Sequence, residues 1–412
     1  LAISLAGNLG LLGFFKYSDF VITEFNFLGQ YLDLGTQIPL LNIALPVAIS
    51  FYTFQSMSYT IDIYRGKLEP SKSLREVAIF VAFFPQLIAG PILRAKDFLP
   101  QLREKMDKLK LTKLRFIRLE KSNLQIGVTM MALGFFKKMF FADNIAPMVN
   151  EIFSMPIGLE SFTIIWGMIG FGIQVYCDFS GYSDIAIGAA LILGFKIPLN
   201  FNKPFFATSP ADFWRRWHIS LSSWVKDYLF IPIVYRKIGS DLVLILGVLF
   251  AFLLLGLWHG AGWNFIIFGL IHGIYVALET YIRKSSPKFA NNRFFKTRIG
   301  RIVSILFTQY LVFFAWISFR VEDADLMIYT MQKFLIWDLQ IENTIGFIRA
   351  HKFESGLICL FLSLHFISYR LGNLIQRISS RNIFLFVFLT VVIVSILFFY
   401  DGNSEDFIYF KF

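Results

Sequence analysis

Long apolar runs recur along this chain, and they constrain its fold more than any other feature. A helix needs about 20 apolar residues to cross the hydrocarbon core of a bilayer. Eight runs come near that length: Ile38–Ile61, Leu124–Phe141, Leu159–Cys177, Leu242–Trp258, Trp263–Ile282, Ile302–Phe319, Gly356–Ile375 and Ile383–Tyr400. Only 16% of the residues are charged, against about 25% in soluble domains. The sequence therefore predicts an all-α polytopic membrane protein.

The chain shows neither an internal repeat nor a long linker, so we interpret residues 1–412 as a single membrane domain. It opens with LAISLAGNLGLLGFFKY, which has no initiator methionine and no signal-peptide start. We expect the chain to begin inside a span, with N-terminal spans missing. Cys177 and Cys359 lie far apart within apolar runs, and they predict neither a disulfide framework nor a CxxC redox site.

The net charge of +11 is carried mainly by loops that flank the apolar runs. The segment Arg94–Lys121 is the most basic of them, and residues 94–122 are predicted to form a cytoplasmic loop because Lys and Arg mark the inner side of a membrane. The basic loop Tyr64–Glu76 is predicted on the same side. Such charges suit orientation and contact with anionic membrane lipid. They form no separate basic domain, so we expect no nucleic-acid partner.

One apolar segment, VAIFVAFFPQLIAGPIL, lies between these two basic loops. A simple span would place its two ends on opposite sides of the membrane. Pro85, Gly90 and Pro91 interrupt helical hydrogen bonding, and broken backbone is tolerated at membrane depth only where protein or a water-filled cavity covers it. We predict a re-entrant hairpin that lines a cavity open to the cytoplasm. An ordinary kinked span is the alternative.

A second unusual stretch is PADFWRRWHISLSSWVKDYLFIPI, residues 210–233, within a basic region. Read as one helix, it would place Phe213, Trp217, Leu221, Trp224 and Tyr228 on one face and Arg216, Ser220, Ser223 and Asp227 on the other. Residues 197–240 are therefore predicted to be an amphipathic region at the wall of a polar cavity, which would hold the candidate site. A surface-lying helix with snorkelling cations gives the same pattern.

Three histidines lie in or beside apolar segments, where ionisable groups are costly and are candidates for function. They are His218, His259 and His272. His259 has the most suggestive context, because Trp258 precedes it and Gly260 and Gly262 allow close approach of backbone or ligand. A neutral imidazole can take a proton from an alcohol that attacks a carbonyl, which is acyl-transfer chemistry. A structural hydrogen bond to a neighbouring helix is the alternative for each histidine.

Other chemistries lack support in the sequence. The histidines have no HxxxH spacing, and no cysteine or carboxylate pattern completes a metal site, so none is predicted. No GxSxG motif, Walker loop or dinucleotide-binding GxGxxG is present. The segment VYCDFSGYSDIAIG adds Asp178 and Asp184 between spans. These carboxylates could orient an imidazole, bind a polar substrate, or pair with Arg215 or Arg216.

Five motifs together resemble the membrane-bound O-acyltransferase (MBOAT) family. They are FFPQLIAGPILR, DFSGYSDIAIG, LNFNKPFFATSPADFWRRWHISLSSWVKDYLFIPI, GLWHGAGWNFIIFGLIHG and the terminal FIYFKF. The likeness runs from about Ser50 to Phe412, and it is greatest to the bacterial branch that acts in alginate O-acetylation and teichoic acid D-alanylation. It implies a ring of transmembrane helices around a thinned core, with a cytoplasmic funnel and re-entrant or interfacial helices.

The resemblance also implies roles for individual residues. The two family histidines fall on His259, in the WHG motif, and on His218, in RWHISL; both would be catalytic. His272 matches a histidine common in the alginate-type branch and carries less weight. Substrate or donor contacts are expected from the following residues: Asp178, Asp184, Asp212, Arg215, Arg216, Lys226, Trp258, Asn264 and His272.

By the same resemblance, the expected function is O-acylation in the bacterial cytoplasmic (inner) membrane. The donor would be acetyl-CoA or an acyl thioester on a carrier protein, with no bound cofactor. The acetyl group would pass to a secreted or periplasmic SGNH-type acetyltransferase partner that modifies an extracellular or cell-surface polysaccharide. D-alanyl transfer, or a lipid or protein acceptor, is the alternative within the family. A secondary transporter would belong to another class, and it predicts an inverted repeat that the sequence does not show.

Overall fold

The computed structural model describes residues 1–35, 37–87, 90–112, 119–235, 241–400, 402 and 406–408, and within them it contains helices and no strands. The α-helices, numbered in chain order, are α1 Ala2–Tyr31, α2 Ile49–Tyr64, α3 Leu74–Val81, α4 Phe84–Leu87, α5 Ala95–Thr112, α6 Lys121–Phe135, α7 Asp143–Ser154, α8 Ser161–Ile192, α9 Pro210–Trp214, α10 Ile219–Val225, α11 Ile231–Tyr235, α12 Asp241–His259, α13 Trp263–Ser285, α14 Pro287–Ala290, α15 Arg298–Arg320, α16 Ala324–Leu335, α17 Glu342–Ala350, α18 Lys352–Leu371, α19 Leu374–Ser379 and α20 Asn382–Phe399. Two π-helical segments, Phe136–Ala142 and Lys226–Phe230, and two 3₁₀ turns, Pro204–Phe206 and Arg293–Lys296, complete the described elements.

Six helices of the described chain are long and apolar enough to cross a membrane. They are Lys121–Ser154, Ser161–Ile192, Asp241–His259, Trp263–Ser285, Arg298–Arg320 and Asn382–Phe399. The first of them is continuous through α6, a π-helical segment and α7. The predicted class, an all-α polytopic membrane protein, is confirmed.

Two of the eight predicted spans differ from the structure. The run Ile38–Ile61 was expected to be one helix, but residues 37–48 are not helical and α2 begins only at Ile49. Pro39 and Pro46 account for this, since proline disfavours helical geometry in the residue before it. The run Gly356–Ile375 is cut short, because α18 ends at Leu371 and Gly372 takes a φ of +66°, a positive value that glycine adopts without a steric penalty.

The segment between the first two basic loops is broken, as its proline and glycine residues predict. The helix α3 ends at Val81 and α4 covers only Phe84–Leu87, while residues 88 and 89 lie outside the described chain. Phe83 packs against Phe98 of α5, with ring centroids 4.7 Å apart, and against Phe195, 5.1 Å away. The break is therefore held inside protein. The sidedness of the hairpin stays a prediction.

The pair α6 and α8 forms the centre of the helix packing. A Cβ atom on Gly134 would lie 2.5 Å from the Gly181 carbonyl oxygen, and one on Gly188 would lie 2.5 Å from the Gly127 carbonyl oxygen. Without side chains at these crossings the two backbones come into direct contact, which is the way apolar helices associate in a membrane. This contact fixes α8 as the wall against which the candidate site is built.

A carboxylate at the start of α8 ties that helix to the first turn of α17. Glu160 accepts hydrogen bonds from the Thr344 hydroxyl at 2.6 Å, the Thr344 backbone N–H at 2.8 Å and the Asn343 backbone N–H at 3.1 Å. These bonds, led by that of the Thr344 hydroxyl, hold the pKa of Glu160 below its ordinary value. They stabilise the folded chain only while Glu160 is ionised.

We expect this contact to make the protein less stable in acid. A carboxylate whose pKa is lowered on folding contributes stability above its ordinary pKa of 4.5, and that contribution is lost as the pH falls through the lower folded value. Glu160→Gln should therefore lower the melting temperature in detergent at pH 7, and the difference from wild type should shrink below pH about 4. Glu342→Gln, which changes an exposed carboxylate on α17, is the matched control. A difference that stays constant with pH would contradict the assignment.

Candidate active site

His259 is the last residue of α12, and a tight turn joins it to α13, which begins at Trp263. Glycines make this turn possible. A Cβ atom on Gly260 would lie 2.0 Å from the ring of Phe265, and one on Gly256 would lie 2.3 Å from the Phe265 carbonyl oxygen. The glycines therefore allow close approach, as predicted, and the group that approaches is Phe265 of the protein itself. His259 is 3% exposed.

Aromatic rings surround the imidazole of His259. Its centroid lies 5.0 Å from that of Trp258, 5.4 Å from Phe268 and 5.3 Å from Phe319, all in edge-to-face arrangements. The ring forms part of the wall of a narrow cavity lined by Phe171, Val175, Trp217, His259, Phe268, Trp316 and Phe319. A proton-transfer group in such a place is shielded from bulk water, which strengthens its electrostatic interactions with a bound substrate.

His218 lies between α9 and α10, where it interrupts the helix that the apolar pattern predicts. Its φ is +44°, in the left-handed region, and its side chain is fully buried. The prediction of one continuous helix is wrong. The five residues of the apolar face are nevertheless all buried: Phe213, Trp217, Leu221, Trp224 and Tyr228. Ser220, placed by the pattern on the polar face, is buried as well.

Asn200 explains why the chain turns at His218. Its backbone carbonyl accepts from the Ile219 N–H at 2.9 Å, and its side-chain oxygen lies 3.1 Å from His218 Nδ1 and 2.8 Å from Ser220 Oγ. Its amide nitrogen donates to Ser183 on α8 at 3.1 Å. This buried asparagine links the His218 turn to α8. That role leaves no signal in the sequence, because an asparagine in a loop has no distinguishing spacing.

Trp258 brings the two predicted catalytic histidines into one cluster. Its indole ring lies 5.8 Å from the ring of His218 and 5.0 Å from that of His259, centroid to centroid. Phe51 and Phe54 of α2 pack on the same indole, at 5.6 and 5.7 Å. Two histidines 41 positions apart in sequence therefore share one aromatic neighbour, and the candidate role of Trp258 is structural contact with both.

His272 lies on α13, beyond Phe268 as seen from His259. Its ring is 4.8 Å from that of Phe268, centroid to centroid, and its Nδ1 accepts a hydrogen bond from Trp214 Nε1 at 3.3 Å. It is fully buried. This contact between α13 and α9 is the structural hydrogen bond that stood as the alternative for each intramembrane histidine, and it supports the lower weight given to His272.

The charged residues beside His218 pair with one another. Asp212 lies 3.0 Å from Arg216 and 3.5 Å from Arg215 within the same short helical stretch. Arg215 and Lys226 are exposed. A further ion pair joins Arg94 to Asp227 at 2.6 Å, next to the ring of Tyr228. The structure thus gathers cations on the outside of the His218 turn, and a role for them in donor binding stays a prediction.

Asp178 and Asp184 form ion pairs, which was one of the predicted alternatives, but their partners are lysines and not the predicted arginines. Asp184 lies 2.6 Å from Lys137, and Asp178 lies 3.0 Å from Lys138. The expected arginines, Arg215 and Arg216, pair with Asp212 instead. Both lysines belong to the π-helical segment Phe136–Ala142, whose wider turn presents consecutive residues to α8. A turn of that kind is invisible to a helical pattern of period 3.6.

Asn264 lies at the start of α13 and lines a second cavity beside the turn 259–263. Lys16, Asp19, Trp263 and Glu322 also line it. Asn264 is 7% exposed. Residues 197–235 of the predicted region 197–240 are described and include the buried His218, and a role of the whole region in lining the active-site cavity stays a prediction. Residues 236–240 lie outside the described chain, as do residues 409–412 of the terminal motif.

A match to a known protein family shows to which family this chain belongs. The sequence model described as MBOAT, membrane-bound O-acyltransferase family, matches residues 68–310, which is more than half of the chain. This chain belongs to the membrane-bound O-acyltransferase family. The match includes both His218 and His259, and it confirms the resemblance drawn from the motifs.

Individual relatives of the chain are named after the polymers on which they act. The peptidoglycan O-acetyltransferase of Helicobacter pylori is 35% identical over 349 residues, which cover 79% of this chain and 62% of the relative. The probable alginate O-acetylase AlgI of Azotobacter vinelandii is 37% identical over 347 residues, with 83% and 64% covered. The teichoic acid D-alanyltransferase of Bacillus subtilis is 30% identical over 286 residues, with 66% and 68% covered. The chain thus spans less than two thirds of the length of the first two.

Proposed function

We propose that this chain is a membrane O-acyltransferase that moves an acetyl group from a cytoplasmic thioester toward a hydroxyl of a cell-surface polysaccharide. The observation that carries the proposal is the meeting of His218 and His259 on the indole of Trp258. Membership of the family supports the reaction class. The named relatives support an extracellular polymer as the final acceptor.

The distribution of positive charge supports an orientation for this site. The connections 193–240, 286–297 and 372–381 are rich in Lys and Arg, whereas 155–160 and 260–262 hold none. By the positive-inside rule the first set faces the cytoplasm. His218 belongs to a segment that enters from this side. His259 lies at the opposite end of α12, which starts at Asp241. In this orientation the two imidazoles would lie between the cytoplasmic side, from which the donor comes, and the outer side, where the acceptor lies.

The chemistry follows from neutral imidazole in a shielded site. The hydroxyl oxygen of the acceptor attacks the thioester carbonyl carbon, and the C–S bond breaks as the new C–O bond forms. His259 takes the hydroxyl proton during the attack and returns it to the leaving thiolate, so that the products are an ester and a thiol. His218, held by Asn200, assists at the same centre. The transfer needs no redox partner, because thioester and hydroxyl supply all the atoms of the products.

The external polysaccharide is large, so we propose that a secreted or periplasmic SGNH-type acetyltransferase completes the transfer to the polymer. The second cavity, beside the turn 259–263, would face this partner in the orientation given above. D-alanyl transfer is the alternative, and the 30% identity to a teichoic acid D-alanyltransferase is the observation in its favour. Both alternatives use the same histidines and differ in the acyl group, its thioester donor and the polymer that is modified.

Mass spectrometry of the surface polymer tests this function. A strain that lacks the gene should lose O-acetyl esters from its cell-surface polysaccharide, and the wild-type chain should restore them. Loss of D-alanyl esters instead would replace the acetyl donor by a D-alanyl carrier thioester. If the polymer is unchanged but the esters on lipid or protein are altered, the acceptor is a lipid or a protein. No change in any ester would reject the proposed function.

A further inference from the structure

The N-terminal helix α1 contacts the end of the helix that carries His259. Lys16 Nζ donates hydrogen bonds to the carbonyl oxygens of Trp258 at 2.6 Å and His259 at 3.0 Å. The neighbouring Tyr17 hydroxyl donates to the Leu257 carbonyl at 2.6 Å. The helix α1 precedes residues 68–310, to which the family model matches. A contact on the candidate catalytic residue thus comes from outside the part of the chain that defines the family.

These contacts answer a physical need of α12. The last four carbonyls of an α-helix have no partner within the helix, and here three of them, those of residues 257–259, accept from α1. A cation at this end also interacts favourably with the helix dipole. His259 is the terminal residue of α12, so any fraying would displace its imidazole first.

The same helix also holds the other side of the turn. Trp263 Nε1 donates to Glu24 Oε1 at 2.8 Å, and the ring of Trp263 lies 6.1 Å from that of Phe20, centroid to centroid. Residues of α1 therefore contact the chain immediately before and after the glycine turn. Lys16 is the one of them that reaches the backbone of His259 itself.

We propose that Lys16 is a positioning residue: its ammonium group caps the end of α12 and thereby fixes the imidazole of His259 in the site. The proposal rests on the proposed function for the role of His259 in acyl transfer. The placement of the ring is a separate matter that can be measured without any activity.

Two measurements on the full chain test this role. The first is the rate at which diethyl pyrocarbonate modifies His259 in the purified protein, mapped by mass spectrometry with His351 as internal reference. Lys16→Met should raise that rate roughly tenfold, the size expected for loss of a charge at a helix C-terminus. The second is the initial rate of polymer ester formation in cells, which should fall about 10- to 100-fold because small displacements of a reacting group are costly.

A conservative replacement of Lys16 and the removal of a matched lysine elsewhere distinguish the positioning of His259 from a general effect on stability. Lys16→Arg keeps a cation and donors at the helix end and should restore most of the ester formation. Lys333→Met removes a lysine from an ion pair with Asp338 at 2.9 Å, and it should change neither measurement. If Lys16→Met does not survive purification, Lys16→Gln, which stays polar but loses the charge and is one atom shorter, replaces it with the same expected direction.

The outcomes distinguish this inference from the proposed function. Unchanged modification of His259 in Lys16→Met or Lys16→Gln, or an equal effect of Lys333→Met, would overturn the positioning role. Ester formation that persists in His259→Ala would remove His259 from the proposed mechanism, while the modification rate would still decide whether Lys16 holds the ring.

Discussion

Replacement of His259 by alanine is expected to abolish polymer O-acetylation while the protein still inserts and folds. The imidazole is the group at the end of α12 that lines the aromatic cavity, and general base catalysis by a positioned side chain contributes about 10²- to 10⁴-fold to a rate. The loss should appear in the ester content of the surface polymer, measured by mass spectrometry in cells that carry the variant as their only copy.

A second histidine variant controls for nonspecific damage. His351 lies in the turn between α17 and α18, beside Glu151 at 3.3 Å, and His351→Ala should leave the ester content unchanged. Both proteins should elute as single species in detergent at similar yield. Normal acetylation by a stable His259→Ala protein would remove His259 from the mechanism and leave His218 as the remaining candidate.

Replacement of Asn200 by alanine is the second change for which we expect a large effect. It removes the acceptor that contacts both His218 and Ser220 and the donor to Ser183. Loss of hydrogen bonds to such buried groups costs about 1–3 kcal/mol of stability, and loss of a group that orients a functional side chain costs about 10- to 100-fold in activity. Melting temperature in detergent and polymer ester content measure the two effects.

Two neighbouring substitutions make this test specific to the His218 turn. Asn202→Ala changes an exposed asparagine two positions away and should have little effect on either measurement. Asn200→Asp keeps an oxygen acceptor for His218 and Ser220, so it should retain more activity than Asn200→Ala. If Asn200→Ala lowers the melting temperature but leaves the ester content intact, Asn200 holds the fold and not the histidine.

The two histidines are held in place by different parts of the structure. His259 ends a transmembrane helix whose last carbonyls are capped from α1. His218 sits on a left-handed turn pinned to α8 through Asn200.

Sequence patterns located both histidines but misjudged the backbone around one of them. The run that ends at Trp258 is uniformly apolar, so the position of His259 at a helix end followed from composition and the glycines that come next. The His218 segment also has a helical pattern of apolar residues. That pattern reports only which side chains are buried, and a turn that keeps the same residues buried satisfies it equally well.

The sequence by itself determined the membrane class, the family and the identity of the candidate histidines, because hydropathy and local motifs are properties of contiguous residues. Only the tertiary structure decided the partners: Lys137 and Lys138 for the two aspartates, Asn200 for His218, and Lys16 for the end of α12. Each of these pairs joins residues from separate helices or loops. Their contacts depend on helix crossings and π-helical turns, which leave no periodic signal in the chain.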